Sequence, residues 1–197
     1  MNLPNRLTIA RILLVPLLII IYMFPYSYFG IEVASLHLLD TNISIVDLIV
    51  LLIFIVASLT DYFDGQIARS KGMITTFGKF VDPIADKLLV NTTFLLLAGS
   101  NTISILIPII MISRDTVVDA IKMSAASKQV VVAASKLGKL KTVTQMIAII
   151  MLLLNNFPFN LLNINMANLF AWIATVVSII SGIDYFMKNR SILMETM

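Results

Sequence analysis

The stretch DYFDGQIARSKGMITTFGKFVDPIADK, from Asp61 to Lys87, sets four aspartates, one arginine and three lysines into a chain that otherwise avoids charge. Asp61 and Asp64 are three apart, and Asp82 and Asp86 are four apart. On helices, each pair shares a face. Four carboxylates facing one another near lipid repel, and each buried unpaired ion costs several kcal/mol. Divalent cations supply the missing charge, and oxygen-only ligands select hard ions such as Mg²⁺ or Mn²⁺. Two ions about 3.5–4 Å apart form the usual clamp for displacement at phosphorus. Asp61, Asp64, Asp82 and Asp86 are therefore candidate metal ligands.

The neighbouring residues suit the same chemistry. Gly65 and Ala68 leave the helix surface nearly bare, so a phosphorylated group can approach closely. Arg69 offers a fork that matches phosphate oxygens, and Gly78 relieves crowding where the next helix begins. The plain alternative is a solvated loop with acids at helix ends, which leaves two helix-spaced pairs, two glycines and an arginine unexplained. The chain has no cysteine and a single histidine, His37, so thiolate or histidine-based catalysis is excluded or improbable.

Helices in a membrane must position these groups. Of 197 residues, 59% are hydrophobic and 13% charged, and the mean hydropathy is +0.97. A soluble domain carries about 25% charged residues. Uncharged runs of 20, 26 and 42 residues cover Ile12 to Ile31, Leu88 to Ser113 and Thr142 to Ile183. About 20 apolar residues cross a bilayer as a helix. GSNT (99–102) and NNFPFN (155–160) split the two longer runs with turn-forming residues. A further apolar segment runs from Ile43 into Asp61, which then lies about 27 Å from the outer end.

The expected architecture is an all-α integral membrane protein, a single domain over residues 1–197. Six transmembrane helices are expected near 5–29, 43–69, 83–98, 103–124, 139–154 and 165–187. Pro83 suits the first turn of the third helix, with Asp82 as its cap. The first helix is read as retained, because its apolar run exceeds that of a signal peptide and no cleavage site follows. The expected outer loops, 30–42, 99–102 and 155–164, contain none of the 14 Lys and Arg residues. The positive-inside rule then places both termini and the acidic cluster on the cytoplasmic side of the cell membrane. The two carboxylate pairs, joined by a cytoplasmic link, are expected to converge.

DYFDGQIAR (61–69), eight residues, then GKFVDPIAD (78–86), resembles the signature D-x-x-D-G-x-x-A-R-x8-G-x-x-x-D-x-x-x-D of the CDP-alcohol phosphotransferase family, with every defining position filled. The resemblance implies a six-helix membrane enzyme, often dimeric, in which an alcohol attacks the β-phosphate of a CDP-linked donor and CMP leaves. It implies metal ligation by Asp61, Asp64 and Asp82, with Asp86 reaching a metal and acting as general base. It also implies donor contacts from Asp61, Gly65, Ala68, Arg69 and Gly78. Phosphoryl transfer asks chiefly for positioning and charge neutralisation, which such a site supplies.

MNLPNRLTIARILLVP, with Asn5, Thr8 and Arg11 in an N-x-x-T-x-x-R pattern, resembles the bacterial branch of this family that joins CDP-diacylglycerol to sn-glycerol 3-phosphate. GKLKT (138–142) and SGIDYFMKN (181–189) resemble the same branch. That likeness adds Asn5, Thr8 and Arg11 to the donor site. A dianionic acceptor needs cations, for which Arg114, Lys122, Lys139 and Lys141 are the candidates. The expected partners are those two substrates, membrane lipid and a second copy of the chain; nothing calls for nucleic acid.

Three positions depart from the branch: Asp115 stands where Glu usually follows the arginine, Lys122 where a second Arg is usual, and Asp119 where a small residue is more familiar, adding an acid near the expected acceptor. These leave inositol phosphate, or phosphatidylglycerol in cardiolipin synthesis, as alternative acceptors. The alternative for Arg114 is an ion pair with an acid such as Asp119 or Asp86; for Lys139 and Lys141 it is a topological role alone. A divalent-cation transporter is the distant alternative. It would need polar groups continuing into the outer halves of the helices, where Asp47 is the main one.

Overall fold

The computed structural model describes residues 3–70, 75–128 and 135–194; for 3–4, 61–70, 76–77, 79–80 and 191–194 it describes the backbone only. Six α-helices are found among the described residues: α1 Leu3–Met23, α2 Ile45–Ser70, α3 Thr76–Gly99, α4 Leu106–Ser127, α5 Lys136–Leu153 and α6 Met166–Met194. Residues Asn5–Met23 and Met166–Arg190 are long and apolar enough to cross a membrane, and Ile45–Thr60 is apolar over a shorter length.

The chain divides into two compact units. One comprises Met1–Leu96 and Leu153–Ile164, the other Leu97–Leu152 and Asn165–Met197. In the first, α1 packs on α2. Thr8, Arg11, Val15 and Leu18 form the buried stripe of α1, and Val50, Phe54 and Ala57 that of α2. This is the spacing at which side chains stack on one helix face. In the second, α4 packs on α6. The α6 stripe of Ala171, Ala174, Thr175, Ser178 and Ser181 is buried and small, which lets two backbones approach closely. The opposite faces are apolar as well: Leu13 is 65% exposed and Ile183 58%. A soluble amphipathic helix would carry charge there.

Helix ends differ from the expected ones for local reasons. α1 stops at Met23 rather than near 29, because Pro25 lacks an N–H and disfavours helix at Phe24. A 3₁₀ turn, Tyr26–Phe29, follows and closes on Gly30 at φ +66°. α3 begins at Thr76, not near 83, so Pro83 lies inside the helix and Asp82 does not cap it. The cap is Thr75, whose Oγ1 accepts a bond of 3.0 Å from the Gly78 N–H. Ser135 does the same for α5, accepting from Gly138 N–H at 3.0 Å. α6 runs on to Met194, because MKNRSILM contains no breaker and Lys188 pairs with Asp184 one turn back at 2.8 Å.

The expected loop at 30–42 contains a small hairpin. β1 (Ser35–Leu38) pairs antiparallel with β2 (Thr41–Ser44), Leu36 opposite Ile43 and Leu38 opposite Thr41. The 155–164 segment fastens to it: Asn155 Nδ2 donates to Asn42 O at 2.9 Å, and Asn160 Nδ2 to Thr41 Oγ1 at 2.8 Å.

Candidate active site

The acidic stretch occupies the end of α2 and the beginning of α3. Positions 61, 64, 65 and 68 fall on one stripe of α2 by helical spacing. The side chains of Asp61, Asp64, Gln66 and Arg69 lie outside the described residues, and so does the expected convergence of all four acids. Among the described residues, no group of three or more His, Cys, Asp and Glu is close enough to share an ion.

On α3, Gly78, Asp82 and Asp86 follow one another at intervals of four, a second stripe. The N-terminal helix meets this stripe. The hydroxyl of Thr8 donates to Asp82 Oδ1. Thr75 Oγ1 donates to Asn5 Oδ1 at 2.8 Å. A Cβ on Gly78 would stand 3.3 Å from Thr75 Oγ1 and 3.4 Å from both Asn5 Oδ1 and Asp82 Oδ2. The absent side chain is what lets Asn5 and Asp82 approach the first turn of α3. Arg11, 1% exposed, donates from Nε to the carbonyl of Ala57 at 3.3 Å, one turn before Asp61 on α2. The structure therefore brings Asn5, Thr8, Gly78 and Asp82 together and ties Arg11 to the helix that carries the first acid pair.

The expected acceptor cations all lie in the other unit. Lys141 is 8% exposed, and its Nζ lies 2.7 Å from both carboxylate oxygens of Asp115, itself 4% exposed. Arg114 Nη1 donates to the same Asp115 Oδ1 at 2.7 Å. Arg114 thus has the ion pair with an acid that is its alternative reading, the acid being Asp115 and not Asp119 or Asp86. Adjacent helical residues do not usually face each other, which is why the sequence points elsewhere. Lys122 is exposed, its Nζ 5.5 Å from the centre of the Tyr185 ring, a cation–π distance. Tyr185 Oη accepts from Ser135 N–H at 3.3 Å, at the cap of the helix that bears Lys139 and Lys141. Lys139 is exposed. Arg114 and Lys141 are joined through one carboxylate, while Lys122 is linked to the start of α5 through Tyr185.

One unit thus carries a carboxylate stripe against a buried polar N-terminal helix, and the other carries a cluster of cations. A family model described as CDP-alcohol phosphatidyltransferase matches residues 1–180. The chain belongs to the CDP-alcohol phosphatidyltransferase family. It is similar to the CDP-diacylglycerol–glycerol-3-phosphate 3-phosphatidyltransferase of Bacillus subtilis, 41% identical with 95% of each chain covered. The enzyme of that name from Rickettsia typhi is 34% identical, with 94% of this chain and 95% of the relative covered. The one from Mycoplasma pneumoniae is 36% identical, with 91% and 84% covered.

Several residues of this chain escape sequence reasoning. Thr75 and Ser135 cap their helices in a Ser/Thr-x-x-Gly pattern, without the acid at the fourth position that marks a capping box. Ser181 accepts from Arg114 Nη2 at 2.7 Å, and Gly182 underlies the Arg114 stem. Both open the SGIDYFMKN stretch, and beyond that their signal is that two small residues recur one turn apart from other small residues on an apolar helix.

Proposed function

We propose that this chain transfers the phosphatidyl group of CDP-diacylglycerol to sn-glycerol 3-phosphate, giving phosphatidylglycerophosphate and CMP. The observation that carries the proposal is likeness over nearly the whole chain to relatives named for that reaction, 41% over 95% in Bacillus subtilis. The filled signature and the clustered cations agree with it.

The chain's own residues divide the work as follows. The donor set fits a hard divalent ion: Asp61, Asp64, Asp82 and Asp86 offer only oxygen ligands, and the Thr8 hydroxyl orients one oxygen of Asp82. These four residues would hold two ions, Mg²⁺ or Mn²⁺. Bound there, the ions would offset the charge of the diphosphate and of the departing CMP. Gly65, Ala68 and Gly78 let the cytidine diphosphate approach the helix backbones, Arg69 and Asp61 contact it, and Asn5, Thr8 and Arg11 shape the donor site from α1. Arg114, Lys122, Lys139 and Lys141 receive the acceptor phosphate. Asp86 takes the proton of the attacking hydroxyl as its oxygen bonds to the β-phosphorus and the bond to CMP breaks. All six helices cross the cell membrane, with both termini and the site cytoplasmic, and two copies of the chain associate. The contact of the 155–164 segment with the 30–42 hairpin supports placing both on the outer side.

The test is CMP release by purified protein in detergent with CDP-diacylglycerol and Mg²⁺, offering glycerol 3-phosphate, inositol phosphate, serine or phosphatidylglycerol. Release that requires glycerol 3-phosphate and disappears in Asp86→Asn is expected. Release with a different acceptor alone would overturn the assignment of substrate.

A further inference from the structure

Arg114 is held from two helices. Its Nη1 donates to Asp115 Oδ1 and its Nη2 to Ser181 Oγ, both at 2.7 Å. Its stem lies directly on Gly182 of α6. A Cβ at that position would stand 2.8 Å from Arg114 Cγ, 3.3 Å from Nε and 3.6 Å from Cδ. The closest of these is at the root of the side chain, so relief requires moving the whole stem and not merely its tip. Asp115 in turn fixes Lys141 of α5 through both carboxylate oxygens. The two cations are therefore set in one geometry by a carboxylate on α4 and by a serine and a glycine on α6.

We infer that Gly182, Ser181 and Asp115 are positioning residues for the anionic acceptor, which act by orienting Arg114 and Lys141. This rests on the function proposed above. A guanidinium is a planar fork, and it grips phosphate through two bonds only when its plane is correctly turned. Gly182 makes the case without any change of charge. Alanine is preferred to glycine in a helix interior, so Gly182→Ala does not weaken α6 through helix propensity. Here the added methyl intrudes on Arg114.

The experiment measures CMP release by Gly182→Ala and Ser181→Ala while glycerol 3-phosphate and CDP-diacylglycerol are varied separately, with a thermal melt of each protein in detergent. A misplacement of about 1 Å can cost about a hundredfold, so Gly182→Ala is expected to raise the acceptor KM by about tenfold or more. The donor KM and kcat should change by less than about twofold, in protein that still melts cooperatively. Ser181→Ala should raise the acceptor KM by about threefold, the effect of losing one modest hydrogen bond. Asp115→Asn should raise the same KM, and Asp115→Glu should restore part of it. An acceptor KM unmoved in folded Gly182→Ala, or equal losses for both substrates, would overturn the inference. Should Gly182→Ala fail to fold, Ser181→Ala decides by the same split. Wild-type protein inactive with glycerol 3-phosphate would overturn the proposed function instead.

Discussion

Thr8 of α1 donates its hydroxyl to Asp82 of α3, seventy-four positions along the chain. The N-terminal helix is thereby tied to the carboxylate stripe of α3. A hydrogen bond to a charged group contributes about 1.5–3 kcal/mol. Thr8→Val should accordingly lower kcat/KM for CMP release by about tenfold or more, while Thr8→Ser stays within about threefold. Equal activity of Val and Ser variants would mean that the contact orients nothing.

Lys141 and Asp115 form a buried pair, their side chains 10% and 5% exposed. Removing one partner of such a pair destabilises by about 3–5 kcal/mol, because the other charge is left buried. Lys141→Met should lower the unfolding midpoint in detergent markedly. The double variant Lys141→Met/Asp115→Asn should lose less than the sum of the single losses, a coupling read from a double-mutant cycle.

Two glycines of α3 provide a matched contrast. A methyl on Gly78 meets three oxygens within 3.3–3.4 Å, whereas one on Gly99 meets nothing within 4 Å. Gly78→Ala should reduce kcat/KM by about tenfold or more, since it pushes on Asn5 and Asp82, and Gly99→Ala should stay within about twofold. Steady-state CMP release compares them directly.

Chelation probes the proposed ions. Treatment with EDTA should abolish CMP release, and Mg²⁺ or Mn²⁺ should restore it. The same ions should raise the melting midpoint of the metal-free protein, by about 2.7 kcal/mol of stabilisation at a hundred times the Kd. Asp86→Asn should weaken both responses while remaining folded.

Asn160 should matter to stability alone. Its amide bonds Thr41 Oγ1 and the Asn155 carbonyl, and its oxygen accepts from Asn156. Net contributions of about 1 kcal/mol per bond predict a loss of about 1–3 kcal/mol for Asn160→Ala, with both KM values unchanged. A changed acceptor KM would contradict this.

The signature was readable because carboxylates at intervals of three and four on helices specify a face before any contact is known. The start of α3 was not, because Pro83 mimics a first-turn residue while the actual cap, Thr75, lies eight positions earlier without a capping-box acid. The hairpin is hidden for a related reason: SLHL and TNIS, at four residues each, are too short to announce strands. Arg114 had its partner next door, where helical geometry ordinarily forbids it. Ser181 and Gly182 look like packing residues and gain another meaning only beside the guanidinium.

The loops at 30–42 and 155–164 are fastened to each other by asparagine amides rather than by ion pairs. In the topology proposed here, these segments must be carried through the bilayer while the protein is being made. A loop stitched by lysine or arginine would bring its cations along, at about 2.5–3.5 kcal/mol for each such residue held at the bilayer centre. Neutral amides give the finished loop its directional bonds and leave the nascent chain easy to export.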